Sequence, residues 1–348
     1  MLRSWIAFGL AALLPAASVL AADKPVRVFI LAGQSNMEGK ARNTLLDYQA
    51  TEGETRGLFA HLRRDDQWIV RDDVFIKFLD RRGPLTVGFG SPGCTGVELE
   101  FGTRMGEHFD EPVLLIKAAW GGHSLFKNFR SPSAGLPETT IAKELAETQK
   151  RVQQANEKDN KQDPLPTRDE IVRDYGQSYR NLLKEVRDVQ ENYARLFPTL
   201  EGRSLELTGF VWFQGFNDIF GAQEEYAANM RHFIHDVRTE LQAPQLPFVI
   251  GALGQNGSKP ATGGMLVVRE AQLSMNDVPE FRGTVKAFPV DVLVDKAAEE
   301  MFPNWQNNPE WVHTGSDRPY HYYGSAIWFN RIGQAMGQAM VDLLTKTP

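Results

Sequence analysis

The chain has 348 residues, of which 42% are hydrophobic, 10% aromatic and 24% charged. That is enough apolar material for one large globular domain or two smaller ones, and it excludes disordered and fibrous classes. Thirty-eight basic residues against 44 acidic give a net charge of −6 with no basic block, which excludes a nucleic-acid-binding stripe. The single cysteine, Cys94, has no intramolecular partner, so stability must come from packing.

In chain order, the first 21 residues combine Arg3, the apolar stretch Trp5–Leu14 and small residues at Ser18–Ala22. This predicts a secretory signal peptide cleaved after Ala21 or Ala22, and an exported protein in the periplasm or outside the cell. Pro15 interrupts the apolar run, which is shorter than the roughly 20 residues a membrane span needs, so no stable membrane insertion is expected after cleavage.

Residues 22–348 then read as a single domain. Short β-branched or aromatic runs recur at Val26–Ala32, Val74–Phe78, Val113–Ala119, Leu207–Phe213, Pro247–Leu253 and Thr284–Val290, each with the length of a buried strand. Apolar residues three or four apart predict a helix from Val172 through Tyr175, Tyr179, Leu182, Val186, Val189 and Tyr193 to Leu196. A second is predicted from Tyr226 to Leu241, and a closing one from about Ser325 to Leu344. Strands alternating with helices predict an open, mostly parallel α/β sheet. The stretch 131–169, rich in Gln, Glu, Lys and Asp, reads as an insertion: a surface helix marked by Ile141, Leu145 and Val152, then a polar loop.

In such sheets ligands bind beyond the carboxyl ends of the strands. Gly33-Gln34-Ser35-Asn36-Met37 follows the first run, and a glycine-rich loop with Gly96 follows the second. Trp120-Gly121-Gly122-His123-Ser124 follows the third, and Gln214-Gly215-Phe216-Asn217-Asp218 the fourth. Asp317-Arg318-Pro319-Tyr320-His321 precedes the closing helix. Together they supply the inventory for acyl transfer: a serine, a histidine base, an acid to orient it, and donors for an oxyanion.

In that order the blocks resemble those of SGNH hydrolases. The wording Gly-Gln-Ser-Asn-Met, Ala-Ala-Trp-Gly-Gly-His-Ser and Trp-Phe-Gln-Gly is similar to the sialate O-acetylesterase branch, which includes carbohydrate esterase family six acetylxylan esterases. The resemblance covers about Val26 to Met340, with the insertion outside it. It implies a flavodoxin-like three-layer α/β/α fold and a serine esterase that removes O-acetyl groups from a carbohydrate, a polysaccharide or sialic acid, without metal or organic cofactor. Ser35 would be the nucleophile, His321 the base and Asp317 its orienting acid. The N–H groups of Ser35 and Gly96 and the Asn217 amide would form the oxyanion hole, with Gln34, His123 and Gln214 as substrate contacts. Two departures stand out. The acid usually lies three residues before the histidine, not four, which keeps Asp291 and Asp295 as rival acids. Phe216 replaces a glutamate usual in the carbohydrate branch.

Other readings remain open from the residues themselves. The same scaffold suits an esterase or acyltransferase on another acyl ester, or a carbohydrate-binding protein that has lost turnover. His313 is a rival base. His232 and His235 lack a third ligand for zinc. Gly88–Gly93 lacks the Lys-Ser/Thr of a phosphate loop. Cys94 reads as a packing residue, and some of Trp120, Trp212, Trp305 and Trp311 as cleft residues.

Overall fold

The computed structural model describes residues 24–346; the signal-peptide segment lies outside them. All six apolar runs become strands of one sheet: β1 (Val26–Gly33), β2 (Val74–Phe78), β4 (Val113–Ala119), β5 (Leu205–Phe213), β6 (Phe248–Ala252) and β7 (Val285–Pro289). A seventh, β3 (Arg81–Pro84), has no apolar signature and pairs antiparallel with β2 at the edge. The order is β7-β6-β5-β1-β4-β2-β3, and every neighbour except β3 is parallel. Without the β2–β3 hairpin the remaining strands follow the flavodoxin-like order 2-1-3-4-5, so the fold is the three-layer α/β/α arrangement expected.

The strand period of two sorts side chains between two cores. Phe29 and Leu31 of β1, Val211 and Phe213 of β5 and Val249 of β6 join one core, under the helices Glu98–His108 (α3) and Ala326–Lys346 (α9). Val28 and Ile30, Phe210 and Trp212, and Phe248 and Ile250 join the other, under Gln177–Leu196 (α6), Tyr226–Glu240 (α7) and Gly263–Leu273 (α8). Each fully buried Phe, Leu, Ile or Val contributes about 1.5–3 kcal/mol, which is why strands buried on both faces read as unbroken apolar runs.

The insertion forms a helix, α4 (Glu138–Asp159), in which only Ile141 is buried. The polar loop then ends at a second helix, α5 (Arg168–Asp174), opened by a Thr167–Glu170 capping box. The continuous helix expected from Val172 is therefore split. Gly176 takes φ +71°, and a Cβ there would stand 2.7 Å from the Arg130 carbonyl oxygen, so the chain turns at this glycine before α6 begins. Two short helices, α1 (Ser35–Glu38) and α2 (Asn43–Thr51), follow β1.

Candidate active site

The strand order reverses between β1 and β5, and both strands deliver their following loops to that point. Gly33 pairs with Phe213 across the junction, where a Cβ would meet the Phe213 carbonyl oxygen at 2.1 Å; only glycine lets the two strand ends approach so closely. Ser35 follows at the first position of α1, mostly buried, where its N–H has no acceptor within the helix.

Asn217 sits on the loop after β5. Its Oδ1 accepts from Gln34 Nε2 at 2.9 Å, which fixes the amide and leaves Nδ2 as the group able to donate. Gln34 Oε1 accepts in turn from Gly215 N at 3.1 Å and Gln214 Nε2 at 3.2 Å. Gln214 Nε2 also donates to Asp218 Oδ2 at 2.6 Å and to the His123 carbonyl at 3.0 Å. Gln34 and Gln214, expected as substrate contacts, are buried instead, with their amides engaged in bracing the loops. Asp218 accepts from the N–H groups of Leu125 and Phe126 and anchors the turn after β4. Burial pushes its carboxyl up to about 6, against the pull of those hydrogen bonds.

His321 and Asp317 meet: Nδ1 lies 2.9 Å from Asp317 Oδ2. The four-residue spacing is closed by a tight turn, in which His321 N donates to the Arg318 carbonyl oxygen at 2.9 Å and so folds the histidine back toward Asp317. Arg318 N donates to the other carboxylate oxygen at 2.7 Å. Burial raises the Asp317 carboxyl, but the His321 hydrogen bond, the Arg318 N–H and nearby positive charge outweigh it and hold it below the usual range. The rival acids are committed elsewhere. Asp291 pairs with Arg269 at 2.6 Å, and Asp295 accepts from Ser325 Oγ at 2.6 Å.

Asn36 Nδ2 donates to the Tyr320 carbonyl at 3.0 Å, so the residues next to Ser35 and next to His321 are in direct contact. Among the described residues Ser35 Oγ and His321 share no hydrogen bond; such bonds are often long in unliganded sites and tighten on substrate. Asn36 was legible only as part of the motif, and its tethering role required the fold.

Gly96 is corrected. Its N–H, expected to face the oxyanion, donates to Glu98 Oε1 at 2.9 Å inside the protein. Glu98 Oε2 accepts from Lys117 Nζ at 2.8 Å, and neither side chain reaches solvent. Lys117 Nζ also donates to the carbonyls of Glu38 and Phe89, each at 2.8 Å, tying α1 to the glycine-rich loop. Burial lowers the lysine's affinity for its proton and Glu98 opposes that. The reason for the correction is demand: a buried carboxylate needs every donor in reach. Sequence reasoning missed this network, although a lysine inside the otherwise apolar Val113–Ala119 run was its signal.

Glu38, also missed, accepts from Gly121 N at 2.7 Å, Lys40 Nζ at 2.7 Å and Ser91 Oγ at 3.0 Å. Burial raises its carboxyl, yet the Lys40 bond and charge with the other donors hold it below the usual range. His123 is half-buried, stacks on Trp120 and lies 2.6 Å from Ser178 Oγ. Burial pushes its pKa below the ordinary histidine value, against the opposing charge of Glu38. His313 stacks on Tyr48 and pairs with Glu310. His232 and His235 turn to different partners, Ser133 and Glu280. Trp212 and Trp311 belong to the cores.

The profile of the family described as "Carbohydrate esterase, sialic acid-specific acetylesterase" matches residues 25–162 and 166–297. The match runs through most of the insertion, which the motif comparison had left outside, and stops short of Asp317 and His321. Comparison with curated proteins gives no match. Among solved structures, an Arabidopsis thaliana protein determined by X-ray at 1.6 Å aligns at 15% identity with TM-score 0.51, over 91% of this chain and 98% of that one. A Xanthomonas citri protein described as a novel carbohydrate acetylesterase aligns at 14% identity with TM-score 0.44, over 90% of this chain and 55% of that one. With well over half of its length matched, the chain belongs to the carbohydrate esterase family of sialic acid-specific acetylesterases.

Proposed function

We propose that this protein is an exported serine esterase that removes O-acetyl groups from carbohydrate, with Ser35, His321 and Asp317 as its triad. The observation that carries the reading is the His321–Asp317 pair, held against the Ser35 turn through Asn36 at the point where the sheet reverses. In the reaction Ser35 Oγ attacks the acetyl carbonyl as His321 Nε2 takes its proton, while Asp317 keeps Nδ1 protonated and stabilises the imidazolium. The Ser35 N–H and Asn217 Nδ2 hold the oxyanion. The intermediate then collapses with cleavage of the C–O bond to the sugar, His321 giving its proton to the departing sugar oxygen, and water, deprotonated by the same imidazole, attacks the acetyl-enzyme and releases acetate and Ser35.

Hydrolysis of an aryl acetate by wild type and by Ser35→Ala tests the mechanism. Turnover by wild type and none by the variant, at equal thermal stability, is the expected result. Equal rates, or none from either, would remove the triad. Export is part of the proposal: the mass of protein recovered outside the cytoplasm should begin at Ala22 or Asp23. Among the described residues no helix is long and apolar enough to cross a membrane.

A further inference from the structure

The chain immediately after His321 takes a shape that tyrosine resists. Tyr322, Tyr323 and Gly324 follow one another in the left-handed region, at φ +52°, +60° and +59°. In that region a Cβ crowds the following carbonyl oxygen, and among the described non-glycine residues with positive φ these two tyrosines alone are buried. Their rings hold them there. Tyr322 stacks on Phe213 at 5.5 Å, at the end of β5 from which the Asn217 loop departs, and packs edge-on against Trp328 of α9 at 4.8 Å. Tyr323 lies 5.1 Å from Phe302 and 6.0 Å from Trp328. The left-handed turn sends the chain back onto the acid. The Tyr323 carbonyl oxygen accepts from Ser316 N at 2.8 Å and from Asp317 N at 2.9 Å, and Tyr323 N donates to the Arg318 carbonyl oxygen at 3.0 Å. At Gly324 a Cβ would stand 2.8 Å from Asp317 N and 2.9 Å from Asp317 Cβ.

We propose that Tyr322, Tyr323 and Gly324 are positioning residues for the triad, forming a left-handed turn that holds the Asp317 carboxylate against His321 Nδ1. The inference rests on the esterase reading of the site and adds the element that keeps acid and base in register. Two observations carry it. The Asp317 side chain is 30% exposed and that of His321 18%, and a carboxylate–imidazole contact so open to water does little to hold its own partners together, so the backbone must supply the geometry. Among the described residues this turn is where buried aromatic side chains are kept left-handed, and the groups it grips are the N–H and Cβ of the acid itself. A turn that only connected two segments would take Gly, Asn or Asp at such positions, as the exposed pair Asp65 and Asp66 does.

A double-variant cycle tests it, since residues that act through Asp317 have nothing to act on once its carboxylate is gone. With an aryl acetate, well below the Tm of each variant, Gly324→Ala is expected to lower kcat by about 10–100-fold with KM within about threefold, and to change kcat by less than about threefold in the Asp317→Asn background. Tyr322→Leu, which loses the stack on Phe213, is expected to lower kcat about three- to tenfold in the native background alone, and Tyr322→Phe, which keeps the ring, to match wild type. Equal losses with and without Asp317→Asn, or unaltered kcat in both Gly324→Ala and Tyr322→Leu, would overturn the proposal. If Gly324→Ala does not fold, Tyr322→Leu carries the cycle alone. The ¹⁵N shifts of the His321 ring, read at a pH where it is neutral, follow the same contact without turnover: wild type is expected to hold the proton on Nδ1, and both variants to share it between the two nitrogens. Absence of aryl acetate hydrolysis by wild type would instead sink the esterase reading. The ring shifts would still decide the turn, an Nδ1 proton unmoved by either variant overturning it.

Discussion

Asn217 shows how a single side chain acquires a direction. An amide is symmetric enough in shape to sit either way, and here the Gln34 donor captures its oxygen, which leaves the nitrogen able to donate, as the proposed mechanism requires of it. Asn217→Ala should therefore lower kcat by about 10²–10³ with little change in KM or Tm, since the residue is only half-buried; steady-state kinetics with an aryl acetate check this. Asp317→Asn removes the acceptor that fixes the His321 tautomer and should cost on the order of 10³–10⁴ in kcat. Asp291→Asn, which breaks the Arg269 pair instead, should leave kcat near wild type, and the contrast measures which acid orients the base. The residues on which the proposed mechanism rests, Ser35, Asn217 and His321, were legible because their residue types recur in a fixed order. The hydrogen-bond partners of Gln34, Gln214 and Gly96 were not, because a motif records identity without saying which partner each polar atom meets.

Among the elements, β4 carries the largest departure from pattern. Its run of apolar residues predicts a central strand, and Lys117 within it lies fully buried, where the strand's alternation turns it toward the first core and Glu98 at the start of α3. Lys117→Met should destabilise the protein by about 3–5 kcal/mol, because Glu98 is left buried without its cation. Adding Glu98→Gln should recover part of that loss, and urea unfolding of both variants measures it. A double variant no more stable than the single would locate the cost in the carbonyls of Glu38 and Phe89. The edge hairpin illustrates the opposite limit. Strand β3, Arg-Arg-Gly-Pro, has no apolar face to announce it, and it exists because β2 offers it an unpaired edge.

At the scale of the whole molecule, Glu100 of α3 gathers three parts of the chain: His61 Nε2 lies 3.1 Å from one oxygen, and Asn330 of α9 donates to the other. The hydrogen bond to Glu100 raises the His61 pKa above its ordinary 6.5, burial opposes it, and the charges of Glu100 and Glu107 add to the rise. A histidine raised on folding contributes stability that is complete below its unfolded pKa and is lost as pH climbs through the folded one. The Tm gap between wild type and His61→Asn should thus be open at pH 6 and closed by pH 9; a gap of constant size would refute the link. The single cysteine settled that no intramolecular disulfide holds this chain together. The periodicities settled six strands and the layered α/β class, since strand and helix periods are local and survive without any tertiary partner. What only the tertiary structure decided is which polar groups are free to act. Whether Gly96 faces a ligand or a buried carboxylate, and which acid reaches His321, depends on segments distant in sequence competing for the same hydrogen bonds, and that competition exists only once the chain has folded.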